Sequence, residues 1–163
     1  DMTNVGKEPL SLVARHAHPV FHRPEYDPNT AVAMADLLDY DWVMPSAGAI
    51  LRNTVTQALA RAGYPAPERV LSTSSFLLVL ATISQTNAVA PIATSVAQAF
   101  TTQVRDGADQ SDVSGLIQVI KTDIDLEVED YGLMTRAGSV LTPAAQSVLR
   151  VLCDGMGIST PQL

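Results

Sequence analysis

The sequence is poor in cysteine and has no long hydrophobic run. Its 163 residues include one cysteine, Cys153, so no disulfide can form within the chain, which favours a reducing, cytoplasmic location. No stretch approaches the roughly 18 uninterrupted apolar residues of a membrane helix. Residues 1–15 also lack the basic start and long apolar middle of a signal peptide. We therefore expect a soluble chain without a membrane partner.

Positive charge is also scarce. Ten Lys and Arg against 17 Asp and Glu leave a net charge of −7. Because nucleic-acid binding is driven largely by Lys and Arg releasing counterions from phosphates, the chain is not expected to bind DNA by itself. Hydrophobic residues make up 47% of the chain, which is enough for a buried core. The length predicts one domain or two small lobes.

Motifs of common catalytic sites are missing. There is no Gly-x-Ser-x-Gly elbow, no phosphate-binding Gly-x-x-x-x-Gly-Lys and no Gly-x-Gly-x-x-Gly. The carboxylates concentrate at 106–112 and 123–130, in segments typical of solvated surface. His16, His18 and His22 lie close together, but no second group of Cys, His and acidic residues completes a metal shell. We therefore expect no enzyme, no metal site and no cofactor.

Short apolar runs alternate with helical periodicity along the chain. The pattern predicts strands at 9–15, 42–45, 69–72, 88–91, 115–120 and 123–128, with a candidate further strand at 131–136. It predicts helices at 31–38 with Thr30 as the cap, at 50–62, 76–84 and 94–100, and at about 142–153. Residues 105–114 are predicted to form an exposed loop. Strands alternating with helices indicate an α/β fold with a mostly parallel sheet and helices on both faces.

Six segments carry a pattern known from one protein family. They are LSLVARHAHP at 10–19, WVMPSAGAILR at 42–52, AGYPAP at 62–67, VLSTSS at 70–75, NAVAP at 87–91 and GLMTRAGSVLTPAA at 132–145. In this order, across nearly the whole chain, they resemble the C-terminal effector-binding domain of the LysR-type transcriptional regulators, mainly its second lobe. The segment WVMP looks closest to the branch that regulates sugar or aromatic-acid uptake and catabolism.

The resemblance implies a fold like a type 2 periplasmic binding protein, in which two Rossmann-like α/β lobes are joined by crossing strands. Residues 20–122 would form the second lobe, 9–15 and 124–136 the two crossovers, and 137–163 the closing helix of the first lobe. The family's DNA-binding domain and most of its first lobe would precede residue 1 and are absent from this chain.

The resemblance also implies a function. The chain would be the cytoplasmic ligand-sensing domain of a bacterial regulator, binding a small carboxylate, aromatic or sugar-derived effector between its lobes. It would self-associate as a homodimer or tetramer, and the parent protein would contact DNA only through the missing N-terminal domain. The alternative is an exported or stand-alone solute-binding protein of the same fold.

Two turns rich in small and hydroxyl residues follow predicted strands. Backbone N–H groups at helix starts attract anions, and ligands of open α/β sheets bind at the carboxyl edge of the strands. The resemblance implies that the same turns face the effector. The predicted effector-binding residues are Ser46, Ala47, Gly48, Thr73, Ser74, Pro91 and Met134. The alternative is that Ser46, Thr73 and Ser74 are ordinary helix caps.

Two arginines are candidate partners of a carboxylate effector, because a guanidinium can bind a carboxylate through two parallel hydrogen bonds. Arg52 lies on the helix after the first of the two turns, and Arg136 lies near the predicted return crossover. The alternative is that each forms a salt bridge on the surface or between lobes.

Overall fold

Strands and helices alternate along the computed structural model, which describes residues 2–101, 117–136, 138 and 140–156. The strands are β1 Met2–Arg15, β2 Trp42–Met44, β3 Val70–Ser72, β4 Ala90–Ala93, β5 Ile117–Ile120 and β6 Leu126–Met134. The helices are α1 Met34–Leu38, α2 Ile50–Arg61, α3 Phe76–Gln85, α4 Thr94–Thr101 and α5 Pro143–Met156, with a 3-10 turn at Pro19–His22. The loop predicted at 105–114 lies outside the described residues.

The chain divides into two compact units. The larger unit contains residues 9–128, and the smaller unit contains residues 1–8 and 129–163. Strands β1 and β6 each contribute residues to both units. In the smaller unit, α5 begins as predicted, with Thr142 as its cap: the Thr142 Oγ1 accepts a hydrogen bond from the Ala145 N–H at 3.3 Å.

The sheet of the larger unit is parallel except at β1. Strands β2 and β3 pair in parallel, and the Val43 N–H donates to the Val89 carbonyl just before β4 at 2.9 Å, beside a parallel bridge between Trp42 and Val89. Strand β1 lies between β4 and β5 and is antiparallel to both, so that Leu12 faces Pro91 on one side and Ile120 on the other. Parallel neighbours need a crossover connection. Because β1 is the first strand of this unit, no crossover within the unit leads into it. It can therefore run antiparallel to β4 and β5.

Both faces of this sheet are covered by helices. Along β1, Leu12 and Ala14 belong to one buried cluster while Val13 belongs to another, because successive side chains of a strand point to opposite faces. Leu37 of α1 and Leu59 of α2 fill the first cluster. The second cluster receives Ile83 of α3 and Ala97 of α4. This two-sided burial is what the predicted α/β architecture requires.

Two predicted strands differ from the structure around β6. The strands predicted at 123–128 and 131–136 are one strand, 126–134. It starts late because residues 122–125 form a turn, in which the Thr122 hydroxyl bonds to the Ile124 carbonyl at 2.9 Å. The Asp123 carboxylate accepts from the Met34 N–H at 2.9 Å and so caps α1.

The first helix is shorter than predicted, and Thr30 does not cap it. The Val32 N–H donates to the Lys121 carbonyl at 2.8 Å, which keeps the chain extended until Ala33, the residue that precedes α1. The Thr30 hydroxyl instead donates to the Asp27 carboxylate at 3.0 Å. The backbone hydrogen bond between Val32 and Lys121 therefore keeps residues 31–33 extended, although their apolar spacing predicts a helix.

Of the three clustered histidines, only His18 is buried. Its Nδ1 accepts from the Val20 N–H at 3.1 Å, so its Nε2 carries the proton and donates to the Asn87 carbonyl at 3.0 Å. Burial lowers the pKa of His18. Arg15 holds the Asn87 side-chain oxygen with its Nη2 at 2.8 Å. The end of β1 is thus joined to the loop that precedes β4.

Within the described ranges, no group of three or more His, Cys, Asp or Glu side chains is arranged to hold a metal ion. No helix in the same ranges is both long enough and apolar enough to cross a membrane.

Candidate functional site

A cavity of about 410 Å³ opens in the larger unit where three parallel strands end. Pro45 follows β2, Thr73 and Ser74 follow β3, and Ala93 closes β4, and all four line the cavity. Its walls are mainly apolar and are formed by Val43, Leu51, Phe76, Val79, Pro91, Ile92 and Val96. Its volume is in the range of small-molecule pockets. The carboxyl edge of an open α/β sheet is also where such folds bind ligands.

Three helices begin at this cavity. Helix α2 follows Ala49, which makes no side-chain capping bond, and α4 begins directly after Ala93. At α3, the Ser75 hydroxyl accepts from the Leu78 N–H at 3.4 Å. None of the three helices has an acidic residue in its first turn. Their N-terminal N–H groups carry partial positive charge, so the cavity lies in a region that favours an anion.

Arg52 joins two of the turns at the cavity. Its Nη1 donates to the Pro45 carbonyl at 3.3 Å and to the Ser72 hydroxyl at 3.1 Å. The first contact is with the turn before α2, and the second is with the end of β3. Among the described residues, no carboxylate pairs with this guanidinium, and its Nε and Nη2 have no protein partner. The surface salt bridge considered for Arg52 is therefore not formed there.

The predicted effector-binding residues fall into three groups. Thr73, Ser74 and Pro91 line the cavity. The residues Ser46, Ala47 and Gly48 are exposed in the turn that follows Pro45 and are not among its lining residues. Met134 ends β6 in the smaller unit and is 79% exposed.

None of Ser46, Thr73 and Ser74 caps a helix with its hydroxyl, whereas Ser75, in the same hydroxyl-rich run at 72–75, does. Helix α3 is capped by Ser75, while the Thr73 hydroxyl accepts from the Ser75 N–H at 3.1 Å and only shapes the turn. At α2, the Ser46 carbonyl, not its hydroxyl, accepts from the Ala49 N–H at 3.1 Å. Gly48 adopts a φ of +89°, a conformation that favours glycine.

Sequence reasoning missed most of the apolar lining. Pro45 and Phe76 lie within two residues of predicted residues, and Val96 lies in the helix predicted at 94–100, but none of the three was predicted to contact a ligand. The available signal was their position between the end of a strand and the first turn of the helix that follows it. That position identifies the binding edge of an α/β sheet for apolar side chains as well as for hydroxyls.

Comparison with known proteins identifies the family of this chain. The model of the family described as the LysR substrate binding domain matches residues 1–157. The chain belongs to this family. The resemblance found in the six sequence segments and the predicted fold, α/β and like a type 2 periplasmic binding protein, are confirmed.

Two relatives of this LysR-family chain are transcriptional regulators. It is 36% identical over 105 residues to the HTH-type transcriptional regulator GbpR of Rhizobium radiobacter, covering 64% of the chain and 33% of that protein. It is 27% identical over 152 residues to the HTH-type transcriptional regulator GbpR of Azospirillum brasilense, covering 93% of the chain and 40% of that protein. The chain thus spans less than half the length of either regulator.

A solved structure shares the fold. The CcmR regulatory domain of Synechocystis PCC6803, determined in complex with 2-PG, aligns with a TM-score of 0.64 at 18% identity. The alignment covers 96% of this chain and 66% of that one.

Proposed function

We propose that this chain is the ligand-sensing part of a bacterial LysR-type transcriptional regulator and binds a small organic effector at the β2–β3–β4 edge. The observation that carries the proposal is the cavity of about 410 Å³ at the ends of these strands. Thr73 and Ser74 supply its hydroxyls, and Pro91 supplies part of its apolar wall. The complex of the CcmR regulatory domain with 2-PG supports a small-molecule effector for a domain of this fold.

The domain organisation belongs to the same proposal. Residues 20–122 form the second lobe, 9–15 and 124–136 cross between lobes, and 137–163 supply the closing helix of the first lobe. The division of the chain at residues 8/9 and 128/129 supports these crossovers, since each division falls within β1 or β6. Contact with DNA belongs to an N-terminal domain of the parent protein, as the HTH-type names of the two longer relatives suggest.

The mode of action is binding without chemical turnover, in the cytoplasm of the cell. The polar side chains at the cavity are the hydroxyls of Thr73 and Ser74, and neither has an imidazole or carboxylate partner among the described residues. An effector with different affinities for two arrangements of the domain shifts the balance between those arrangements in the regulator. Ser46, Ala47, Gly48 and Met134 complete the proposed set of effector contacts.

Self-association uses the free edge of the sheet in this proposal. Strand β3 pairs only with β2 in the described part of the chain, which leaves its outer edge open. In the same unit, Leu71 of β3 and Leu77 and Leu78 of α3 are exposed, with Leu77 at 78%. Contiguous exposed apolar patches mark association surfaces. Sedimentation equilibrium tests the proposal: the wild-type chain is expected to associate and the Leu77→Asp variant to be monomeric.

Differential scanning fluorimetry tests effector binding. The chain is screened against organic acids, aromatic compounds and sugars, and a compound that binds only the folded state raises the Tm. Thr73→Val with Ser74→Ala removes both cavity hydroxyls and should abolish the shift. Thr101→Ala, at the far end of α4, is the matched control and should keep it. A shift that persists in the double variant would place the ligand elsewhere.

A further inference from the structure

We infer that the effector carries a hydroxyl or amino group that donates a hydrogen bond to the backbone carbonyls of Val43 and Pro91. Two prolines leave these carbonyls unpaired where the hydrogen-bond ladder between β2 and β4 stops. The inference rests on the proposed function, because it specifies one chemical group of the ligand of the same cavity. It concerns the space between two strands of the sheet and not the helix starts.

The ladder between β2 and β4 begins regularly and then stops. The Val89 N–H donates to the Asp41 carbonyl at 2.9 Å, and the Val43 N–H donates to the Val89 carbonyl at 2.9 Å. Continuing this parallel pattern, the N–H of residue 91 would donate to the Val43 carbonyl, and the N–H of residue 45 to the carbonyl of residue 91. Both positions are occupied by proline, which has no N–H.

The Val43 carbonyl cannot turn to β3 for a partner. Strand β2 uses the residues on either side of Val43 for that contact. The Trp42 N–H donates to the Arg69 carbonyl at 2.8 Å, and the Met44 carbonyl accepts from the Thr73 N–H at 3.0 Å. Because alternate residues of a paired strand direct their backbone groups to opposite neighbours, the Val43 carbonyl is directed toward β4.

No other group of the described residues replaces the missing donors. Neither a backbone N–H nor a side chain in the described ranges donates to the Val43 or Pro91 carbonyl. The ladder also does not resume beyond them, because the Pro45 carbonyl accepts from the Arg52 Nη1 at 3.3 Å instead. Both residues are buried, with Val43 only 1% exposed. Buried carbonyls without a partner are uncommon, because the lost hydrogen bond to water costs free energy.

A ligand in the cavity can supply the missing donor, since Val43 and Pro91 both line it. An amino group has enough hydrogens for both carbonyls, and a hydroxyl can pair with one of them. A ligand oxygen that only accepts would meet two further acceptors and leave them unpaired. A site with unpaired polar groups rejects an analogue that lacks the matching group. The rest of the ligand contacts hydrocarbon, because most other lining residues are apolar.

Two isomeric probes test the inference. Benzyl alcohol donates a hydrogen bond through its hydroxyl, whereas anisole contains the same atoms with an ether oxygen that only accepts. Their dissociation constants are measured by saturation-transfer difference NMR. Pro91→Ala and Pro45→Ala each return one N–H to the ladder and so occupy one carbonyl. We expect each variant to weaken the alcohol relative to anisole by about threefold or more, which is within what one hydrogen bond contributes.

Pro65→Ala is the matched control, because this proline is exposed after α2 and does not line the cavity. It should leave the ratio of the two dissociation constants unchanged. Amide hydrogen exchange checks the strand pairing itself. The N–H that Pro91→Ala creates should exchange slowly in the free chain, because it bonds to the Val43 carbonyl. Fast exchange would show that the two groups do not face each other and would overturn the inference.

Variants that fill the cavity separate this inference from the proposed function. Val96→Trp, with Val79→Phe as a milder second variant, should displace both probes. Probe binding that is absent from the wild-type chain, or unchanged in both filling variants, would refute the cavity as a binding site and the inference with it. If the filling variants displace the probes but neither Pro91→Ala nor Pro45→Ala changes the ratio, water and not the ligand satisfies the carbonyls. That result would overturn the inference and leave the cavity standing.

Discussion

Replacing His18 by alanine tests a buried polar side chain that joins two segments of the larger unit. The side chain has no exposed surface, and it bonds to the Val20 N–H at 3.1 Å and to the Asn87 carbonyl at 3.0 Å. Alanine leaves the buried Val20 N–H without this partner, at about 1–3 kcal/mol, and removes the partner of the part-buried Asn87 carbonyl at a smaller cost. The space left by the ring adds to that cost. We expect the free energy of unfolding to fall by about 3–5 kcal/mol.

Urea unfolding at pH 7.5 measures this loss. Trp42 is the only tryptophan of the chain and is fully buried, so its fluorescence reports the state of the larger unit. His16→Ala is the matched control, because His16 is exposed two residues away, and it should change the stability by less than about 0.5 kcal/mol. A loss below about 1 kcal/mol in His18→Ala would refute the reasoning, since it would mean that water or a local shift satisfies both backbone groups.

The same histidine predicts a pH dependence. The native pKa of His18 lies below its ordinary value of 6.5, because burial disfavours the charged ring. The unfolded chain therefore binds this proton at a higher pH than the native chain does. The stabilisation is complete above about pH 6.5 and is lost as the pH falls below it, by at most about 1.4 kcal/mol per pH unit. Stability curves from pH 8 to 5 should show this loss in wild type and not in His18→Ala.

Three further substitutions test the packing and the surface by urea unfolding. Leu59→Ala leaves a cavity in the first cluster and should cost about 2–5 kcal/mol; a loss below about 1 kcal/mol would mean that the helices collapse into the space. Asp123→Ala removes the acceptor of the Met34 N–H at the start of α1 and should cost about 1 kcal/mol, while Asp123→Asn should recover part of it. Arg69→Ala breaks the exposed ion pair with Asp41 at 2.8 Å and should cost less than about 1 kcal/mol; a larger loss would show that this pair is more than a surface contact.

Much of the fold could be predicted because its signals are local. Along β1, alternate side chains fill two clusters, and the run at 42–44 is buried throughout, so both strands are visible as apolar runs. The cap and first-turn proline at 142–143 likewise locate the start of α5. The predicted bounds are wrong where a contact with a residue distant in the sequence sets the local structure. Residues 31–33 stay extended because Val32 pairs with Lys121, and residues 122–125 turn because Asp123 serves as the cap of α1.

Part of the candidate site could also be predicted. Thr73, Ser74 and Pro91 were identified from turn chemistry and from the family resemblance, and all three line the cavity. The contact of Arg52 with Ser72 could not be predicted from the sequence, because 20 residues separate them. Only the parallel pairing of β2 with β3 brings their turns together. A lone arginine in a helix pattern carries no signal of such a partner.

The sequence by itself therefore determined the class of the protein, its family and the turns at which we propose that a ligand binds. Composition, apolar spacing and turn residues are local properties. They can therefore be recognised in a segment without knowing where that segment lies in the fold. Only the tertiary structure decided which turns share one cavity. The order of β2, β3 and β4 in the sheet places Pro45, Thr73 and Pro91 around the same space. The same strand order brings three helix starts and Arg52 to this edge of the sheet, and none of the described lining residues is a carboxylate. This charge balance exists only after the strands have paired.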